Sequence, residues 1–278
     1  MPIAQTWQDI ISVPREQLNL AEAALVIARE AYPQLDIAVQ LARIDALAAT
    51  LKQRLRPDIT PTEKLAQFNH YLFNELGYAG NSDDYYDPRN SYLNDVIERK
   101  LGIPITLSVL YIEVGRRLGL PLSGVSFPGH FLVKCALRDG AVIIDPYAKG
   151  ASLGIKDLQK RLRVLVGSTD VAPEAVMRLL AIAQPADIIA RMLRNLKAIH
   201  NERGDKSRAL TAVSQVIDLC PDAAGDYRDR ARLLEELECF RASLADFETY
   251  LRLDPQASDA QIVRAKIAVL RERVARLN

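Results

Sequence analysis

Ala209-Leu210-Thr211-Ala212-Val213-Ser214-Gln215-Val216-Ile217-Asp218-Leu219-Cys220-Pro221 returns 34 residues later as Ser243-Leu244-Ala245-Asp246-Phe247-Glu248-Thr249-Tyr250-Leu251-Arg252-Leu253-Asp254-Pro255. In that register Leu210 pairs with Leu244, Val213 with Phe247, Ile217 with Leu251, Leu219 with Leu253 and Pro221 with Pro255, and Ala223 matches Ala257 just beyond. Apolar positions fall at helical spacing and a proline closes each segment. Each period therefore reads as two helices and a turn, a unit that buries its apolar face against its neighbours. Ala209 opposite Ser243 keeps a small residue where paired helices approach, whereas Gly204 meets Glu238 rather than a second glycine. Two units need an end cap, and Ser258 to Leu277 has the amphipathic pattern for one. The alternative for this region is a helical bundle unrelated to any repeat.

Upstream of about Asp187 the texture differs. Residues 18 to 30 are rich in helix formers with apolar positions three and four apart, Pro33 stops them, and Asp36 can cap a second helix to about Leu55. Thr60-Pro61-Thr62-Glu63 has a capping hydroxyl, a proline at the first helical position and a glutamate three residues after the cap, which predicts a helix to about Leu76. A polar loop over residues 77–84 follows, and Ser91 can cap a short helix over Tyr92 to Lys100. Gly102-Ile103-Pro104 breaks and restarts the chain, opening a core helix with Leu107, Leu110, Val114 and Leu118 on one face.

After Pro121 the period becomes that of strands: Val125-Ser126-Phe127, His130 to Leu137, and Ala141 to Tyr147, the last two joined by the turn signal Arg138-Asp139-Gly140. A two-residue Asp139-Gly140 turn pairs Lys134 with Asp145 and leaves His130 on the same face but roughly 13 Å along the strand. On that register the two touch only through a bulge or a wider loop. The first part of the chain is α+β and the second all-α.

Composition narrows the function. The 278 residues suffice for two domains, and 49% hydrophobic with 26% charged residues argues against a disordered chain. Thirty-six basic residues against 35 acidic ones, with no run of one sign, lack the footprint of a nucleic-acid binder. No apolar run approaches the ~20 residues of a membrane span, and Met1 to Asp9 has no basic segment followed by an apolar one. The expectation is a soluble cytoplasmic protein that binds neither nucleic acid nor membrane. Cys135, Cys220 and Cys239 are odd in number and lack metal-ligand spacing, so buried reduced thiols are expected and no cofactor or metal is called for.

Of the three histidines, His70 and His200 sit in helical patterns with no second ligand at i+3 or i+4, and read as packing or surface residues. His130 differs. Phe127-Pro128-Gly129-His130 sets it where a glycine turn enters a strand, and Asp145 follows 15 residues later at the end of the next. A carboxylate on the neighbouring strand can fix an imidazole tautomer, the orienting half of a triad.

These residues carry a resemblance. The helix opening at Pro104, Leu118-Gly119-Leu120-Pro121, Gly129-His130 and Asp145-Pro146 resemble the core of the transglutaminase-like, papain-related superfamily, and the 34-residue period resembles the tetratricopeptide repeat. More narrowly, Leu18-Asn19-Leu20-Ala21-Glu22, Asn90-Ser91-Tyr92-Leu93-Asn94, Gly102-Ile103-Pro104-Ile105, Phe127-Pro128-Gly129-His130-Phe131 and Ile144-Asp145-Pro146 resemble bacterial SirB-type proteins, which join such a core to such repeats. The resemblance spans roughly residues 15 to 260. It implies a transglutaminase-like domain over residues 1–183, with N-terminal helices and a short antiparallel sheet, then repeats with a capping helix over residues 184–278.

It also implies what is missing. Enzymes of the superfamily carry a cysteine at the start of the core helix, where the helix dipole favours the thiolate. Here the stretch reads Gly102-Ile103-Pro104-Ile105-Thr106-Leu107-Ser108. Cys135 is odd-spaced from His130 along its strand and faces the other way. Thr106 and Ser108 are the remaining hydroxyl candidates. Tyr85, Tyr86, Asn90, Tyr92 and Asn94 precede the core helix and are weak candidates to line the same cleft. The favoured reading is a noncatalytic scaffold or regulator, a pseudoenzyme that binds a protein partner through residues 184–278. The alternative is a hydrolase or transferase acting on amide or ester bonds, with the His130/Asp145 pair and Thr106, Ser108 or a water as nucleophile.

Overall fold

Side-chain caps start the N-terminal helices. In the computed structural model, which describes residues 3–138, 140–167 and 171–276, Thr6 and Asp9 box the start of α1 (Trp7–Ile11), Asn19 caps α2 (Leu20–Ala28) and Asp36 caps α3 (Ile37–Lys52). The Thr60/Glu63 box forms at α4 (Pro61–Asn69), with Pro61 at its start. That helix does not run on to Leu76 as an α-helix, because its pitch widens to a π-helix over His70–Glu75. The wider turn brings both Phe68 and Phe73 against Tyr111, at 4.5 and 5.9 Å between ring centres.

The expected cap at Ser91 does not form. β1 (Ala79–Gly80) pairs in parallel with β2 (Leu101–Gly102), and between them α5 (Leu93–Arg99) starts after Tyr92 with no side-chain cap. α6 (Pro104–Arg117) opens with its proline at the first turn and is buried on all sides from Pro104 to Gly115, not along one face. A helix surrounded by protein has no solvent stripe to keep polar.

An antiparallel meander follows, β3 (Leu122–Val125), β4 (Leu132–Leu137), β5 (Gly140–Asp145) and β6 (Ala151–Leu153), in that spatial order. The first strand ends before Ser126-Phe127, and β4 begins at Leu132, two residues after His130. The hairpin pairs Leu137 with Gly140 and Lys134 with Ile143, which corrects the Arg138–Ala141 register by two residues. Asp139, half of the expected turn, lies outside the described residues. A two-residue slip preserves the face of every side chain. It therefore moves Asp145 toward His130 without turning it away. α7 (Ile155–Val166) and α8 (Pro173–Arg178) close the sheet, with Leu158, Leu162, Val176 and Leu180 packed on Val125, Phe127, Leu132 and Ile143.

The chain divides into two compact units, Met1–Met192 and Leu193–Asn278. α9 (Pro185–Glu202), α10 (Lys206–Leu219), α11 (Ala224–Glu236), α12 (Phe240–Leu253) and α13 (Ala260–Ala275) complete the helices. α10 and α12 start and stop 34 residues apart. Ala209 and Ser243 are both fully buried, and Ser243 Oγ donates to Ala231 O at 2.8 Å. Gly204 and Glu238 both take the left-handed conformation, φ 79° and 60°, so the turn repeats where the residue does not. α13 packs Val263, Ile267 and Leu270 against Phe240, Phe247 and Tyr250 as the end cap; Leu277 falls outside the described residues. Cys220 and Cys239 lie at helix ends, where Cys220 is half-buried and Cys239 exposed rather than buried as expected.

Candidate functional site

Asp145 is held before it meets any side chain. As the last residue of β5 it caps the turn over Pro146–Ala148, Oδ1 accepting from the backbone N–H of Tyr147 at 3.1 Å and of Ala148 at 3.2 Å. Only 1% of the residue is exposed. His130 is set by the turn ahead of β4, where Gly129 takes φ +68°, a conformation that disfavours any side chain, and His130 N–H bonds to Phe127 O at 3.1 Å. Arg191 pins that turn, donating to Phe127 O, His130 O and Ser126 Oγ at 3.2, 2.9 and 2.6 Å.

These supports bring His130 Nε2 to 2.8 Å from Asp145 Oδ1, while Arg161 Nη2 donates to Oδ2 at 2.8 Å. Burial alone raises the Asp145 carboxyl, but the hydrogen bond and charge of His130, then those of Arg161, outweigh it and hold Asp145 below the usual carboxylate range. An ionised carboxylate only accepts, so Nε2 is the donor in this contact and Nδ1 is the ring nitrogen left for another partner. Nδ1 has no hydrogen-bond partner among the described residues.

The hydroxyls at the start of α6 are engaged elsewhere. Thr106 Oγ1 donates to Asn90 O at 2.5 Å, Ser108 Oγ donates to Pro104 O at 2.7 Å, and both residues are fully buried. Cys135 is also fully buried, and burial pushes its thiol up, away from the thiolate. Asn90 ties the preceding loop down: Nδ2 donates to Asp84 O at 2.7 Å and Oδ1 accepts from Asn81 Nδ2 at 3.1 Å. Tyr92 is buried edge-on to Tyr32, and Asn94 Oδ1 is buried with no hydrogen-bond partner among the described residues. Tyr85 does reach the histidine's surroundings, through Tyr147, whose ring stands edge-on to both Tyr85 and His130 at 6.3 and 6.0 Å.

A cavity of about 540 Å³ opens beside His130. Pro128, Gly129 and His130 form one wall and α7 the other. Arg161 and Arg191 are parts of this site that the sequence did not signal: each acts through a contact made by folding, and neither stands in a motif of its own. Tyr147 had a pointer, since it follows the Asp145-Pro146 pair. Among the described residues no group of three or more His, Cys, Asp or Glu could hold a metal ion, and no helix is long and apolar enough to cross a membrane.

Residues 39–194 match the transglutaminase-like superfamily and residues 196–268 the tetratricopeptide repeat. A UPF0162 protein of Xylella fastidiosa (strain Temecula1) is 39% identical over 268 residues, 95% of this chain and 94% of that protein. A UPF0162 protein of Pseudomonas aeruginosa is 33% identical over 245 residues, covering 88% of each chain. Human F-box only protein 21 is 32% identical over 151 residues, 51% of this chain but 23% of that protein.

Proposed function

Since the chain belongs to the transglutaminase-like superfamily and carries tetratricopeptide repeats behind that core, we propose that it is a noncatalytic scaffold or regulator of the SirB type, which binds a protein partner through the repeats in residues 184–278. One observation carries the reading: where the superfamily's enzymes have a cysteine, this chain has Thr106 and Ser108, buried and donating to backbone carbonyls. A nucleophile needs a lone pair aimed at substrate and a base within hydrogen-bond reach, and neither hydroxyl has either. The repeats supply the other half, because stacked helix pairs present an extended surface of the kind used to hold other proteins.

A second reading rests on the 2.8 Å contact between His130 and Asp145. An oriented imidazole whose Nδ1 has no hydrogen-bond partner among the described residues can take a proton from water, so slow hydrolysis of peptide-like amides or esters is the activity this pair supports without a side-chain nucleophile.

Affinity capture from a bacterial lysate with the full-length chain and with His130→Ala, followed by crosslink mapping, tests the first reading. A partner captured by both and crosslinked within residues 193–278 supports it. A partner lost in His130→Ala, or crosslinked only to the first unit, contradicts it.

A further inference from the structure

α7 buries Leu158 and Leu162 against the sheet and turns another face to solvent. Along that face Asp157, then Lys160 and Arg161, then Val164 and Leu165 stand one helical turn apart, and all five line the cavity beside His130. The arrangement is unusual for a solvent face. Val164 is 82% and Leu165 54% exposed, though a helix of this pattern normally keeps its open side polar. Leu153 adds a third apolar side chain to the same cavity.

Charged side chains line the same cavity. Lys160 makes no ion pair or hydrogen bond among the described residues. Arg161 gives Nη2 to Asp145 and keeps its remaining donors, with 36% of its side chain exposed. The two acids nearby are committed: Asp145 is enclosed by His130 and Arg161, and Asp157 Oδ2 accepts from Gly154 N–H at 2.9 Å at the start of the helix. The cavity thus pairs an unmatched ammonium and a half-used guanidinium with an aliphatic wall. Asp157 limits the anion, since a dianionic phosphate would meet its carboxylate, whereas a carboxylate carries a single charge that two adjacent cationic donors can satisfy. The volume, about 540 Å³, is in the range of small-ligand sites and exceeds what one carboxylate fills.

We infer that this cavity binds the carboxyl terminus of a peptide ending in an aliphatic residue, with Lys160 and Arg161 on the carboxylate and Leu153, Val164 and Leu165 around the last side chain. The site lies wholly in the first unit, so it is separate from partner binding by the repeats and stands whether or not that reading does. His130 forms the opposite wall, which places its imidazole beside a bound chain end.

Fluorescence anisotropy with the full-length protein and a labelled hexapeptide, Ser-Gly-Ser-Gly-Val-Leu, tests this. The free-acid peptide is expected to bind, and its C-terminal amide to bind about tenfold more weakly. Lys160→Glu should weaken the acid about tenfold and leave the amide unchanged, and Val164→Ser should weaken both forms. Lys156→Glu, an exposed change on the same helix outside the cavity, should alter neither. Both cavity positions are exposed, so these variants are expected to keep the parent melting temperature. Equal binding of acid and amide, no saturable binding of either, an acid affinity indifferent to Lys160→Glu, or displacement by inorganic phosphate at concentrations matching the peptide would each overturn the inference.

Discussion

His130 Nε2 stands 2.8 Å from Asp145 Oδ1 because the β4–β5 hairpin pairs Leu137 with Gly140 rather than Arg138 with Ala141. The carboxylate is 1% exposed and answers to four donors: two backbone N–H groups, the imidazole and Arg161. That convergence explains why it stays ionised inside the protein.

Asp145→Asn removes the charge and keeps the shape. It leaves the backbone bonds to Tyr147 and Ala148 largely in place but strips His130 and Arg161 of their anion, at an expected cost of about 2 kcal/mol in urea unfolding at neutral pH. The pH dependence has a definite sign. The folded-state pKa lies below the ordinary 3.8, so the contribution is present above that value and lost as pH falls through the folded pKa. The variant's stability is therefore expected to fall less steeply than the parent's below about pH 4.

His200 acts at a higher pH. Burial, the dominant influence, lowers its pKa from 6.5; Asp205 opposes the shift, and Arg208 and Arg203 add to it. The unfolded chain takes up this proton first as pH falls, so stability is full above about pH 6.5 and declines below it. Thermal midpoints from pH 8 to pH 5.5 are expected to fall in the parent and to fall less in His200→Gln. A parent midpoint that rises over that interval contradicts the assignment.

Glu238 occupies, at φ 60°, a position that Gly204 holds in the preceding unit at φ 79°. A side chain in the left-handed region costs roughly 1 kcal/mol, and a glycine there costs less. Glu238→Gly is expected to stabilise the repeats by about 0.5 kcal/mol and Gly204→Ala to destabilise them by about 1 kcal/mol, both read from chemical denaturation.

Thr106→Val separates a structural hydroxyl from a chemical one. Oγ1 bridges Asn90 O and, at 3.4 Å, Ile103 O, so its loss is expected to cost about 1 to 2 kcal/mol of stability with no change in any hydrolytic rate.

The parts of the fold legible in the sequence were those set by local chemistry. The Thr60/Glu63 box, the Asp36 cap, Pro104 at a helix start and the 34-residue offset of α10 and α12 all depend on residues a few positions apart or on a repeated spacing. Ser91 has the right residue type for a cap, but its side chain is buried, and Oγ finds no hydrogen-bond partner among the described residues. The hairpin's existence was legible and its register was not, because a shift of two residues keeps every side chain on its face and so leaves the alternation of apolar residues unchanged. His130 and Asp145 could be named as candidates from sequence, but their contact could not, because the expected register set them roughly 13 Å apart; Arg161 could not be named at all, since it reaches the carboxylate from a helix 16 residues downstream that carries no motif.

A core that performs no covalent chemistry shows no turnover. Purified full-length protein and His130→Ala, both shown folded by circular dichroism, are assayed against a broad panel of amides and esters at pH 7.5. The expected result is a rate at the buffer background for both proteins on every substrate. Turnover above background in the parent that disappears in His130→Ala would contradict a noncatalytic core and make the His130–Asp145 pair an active site.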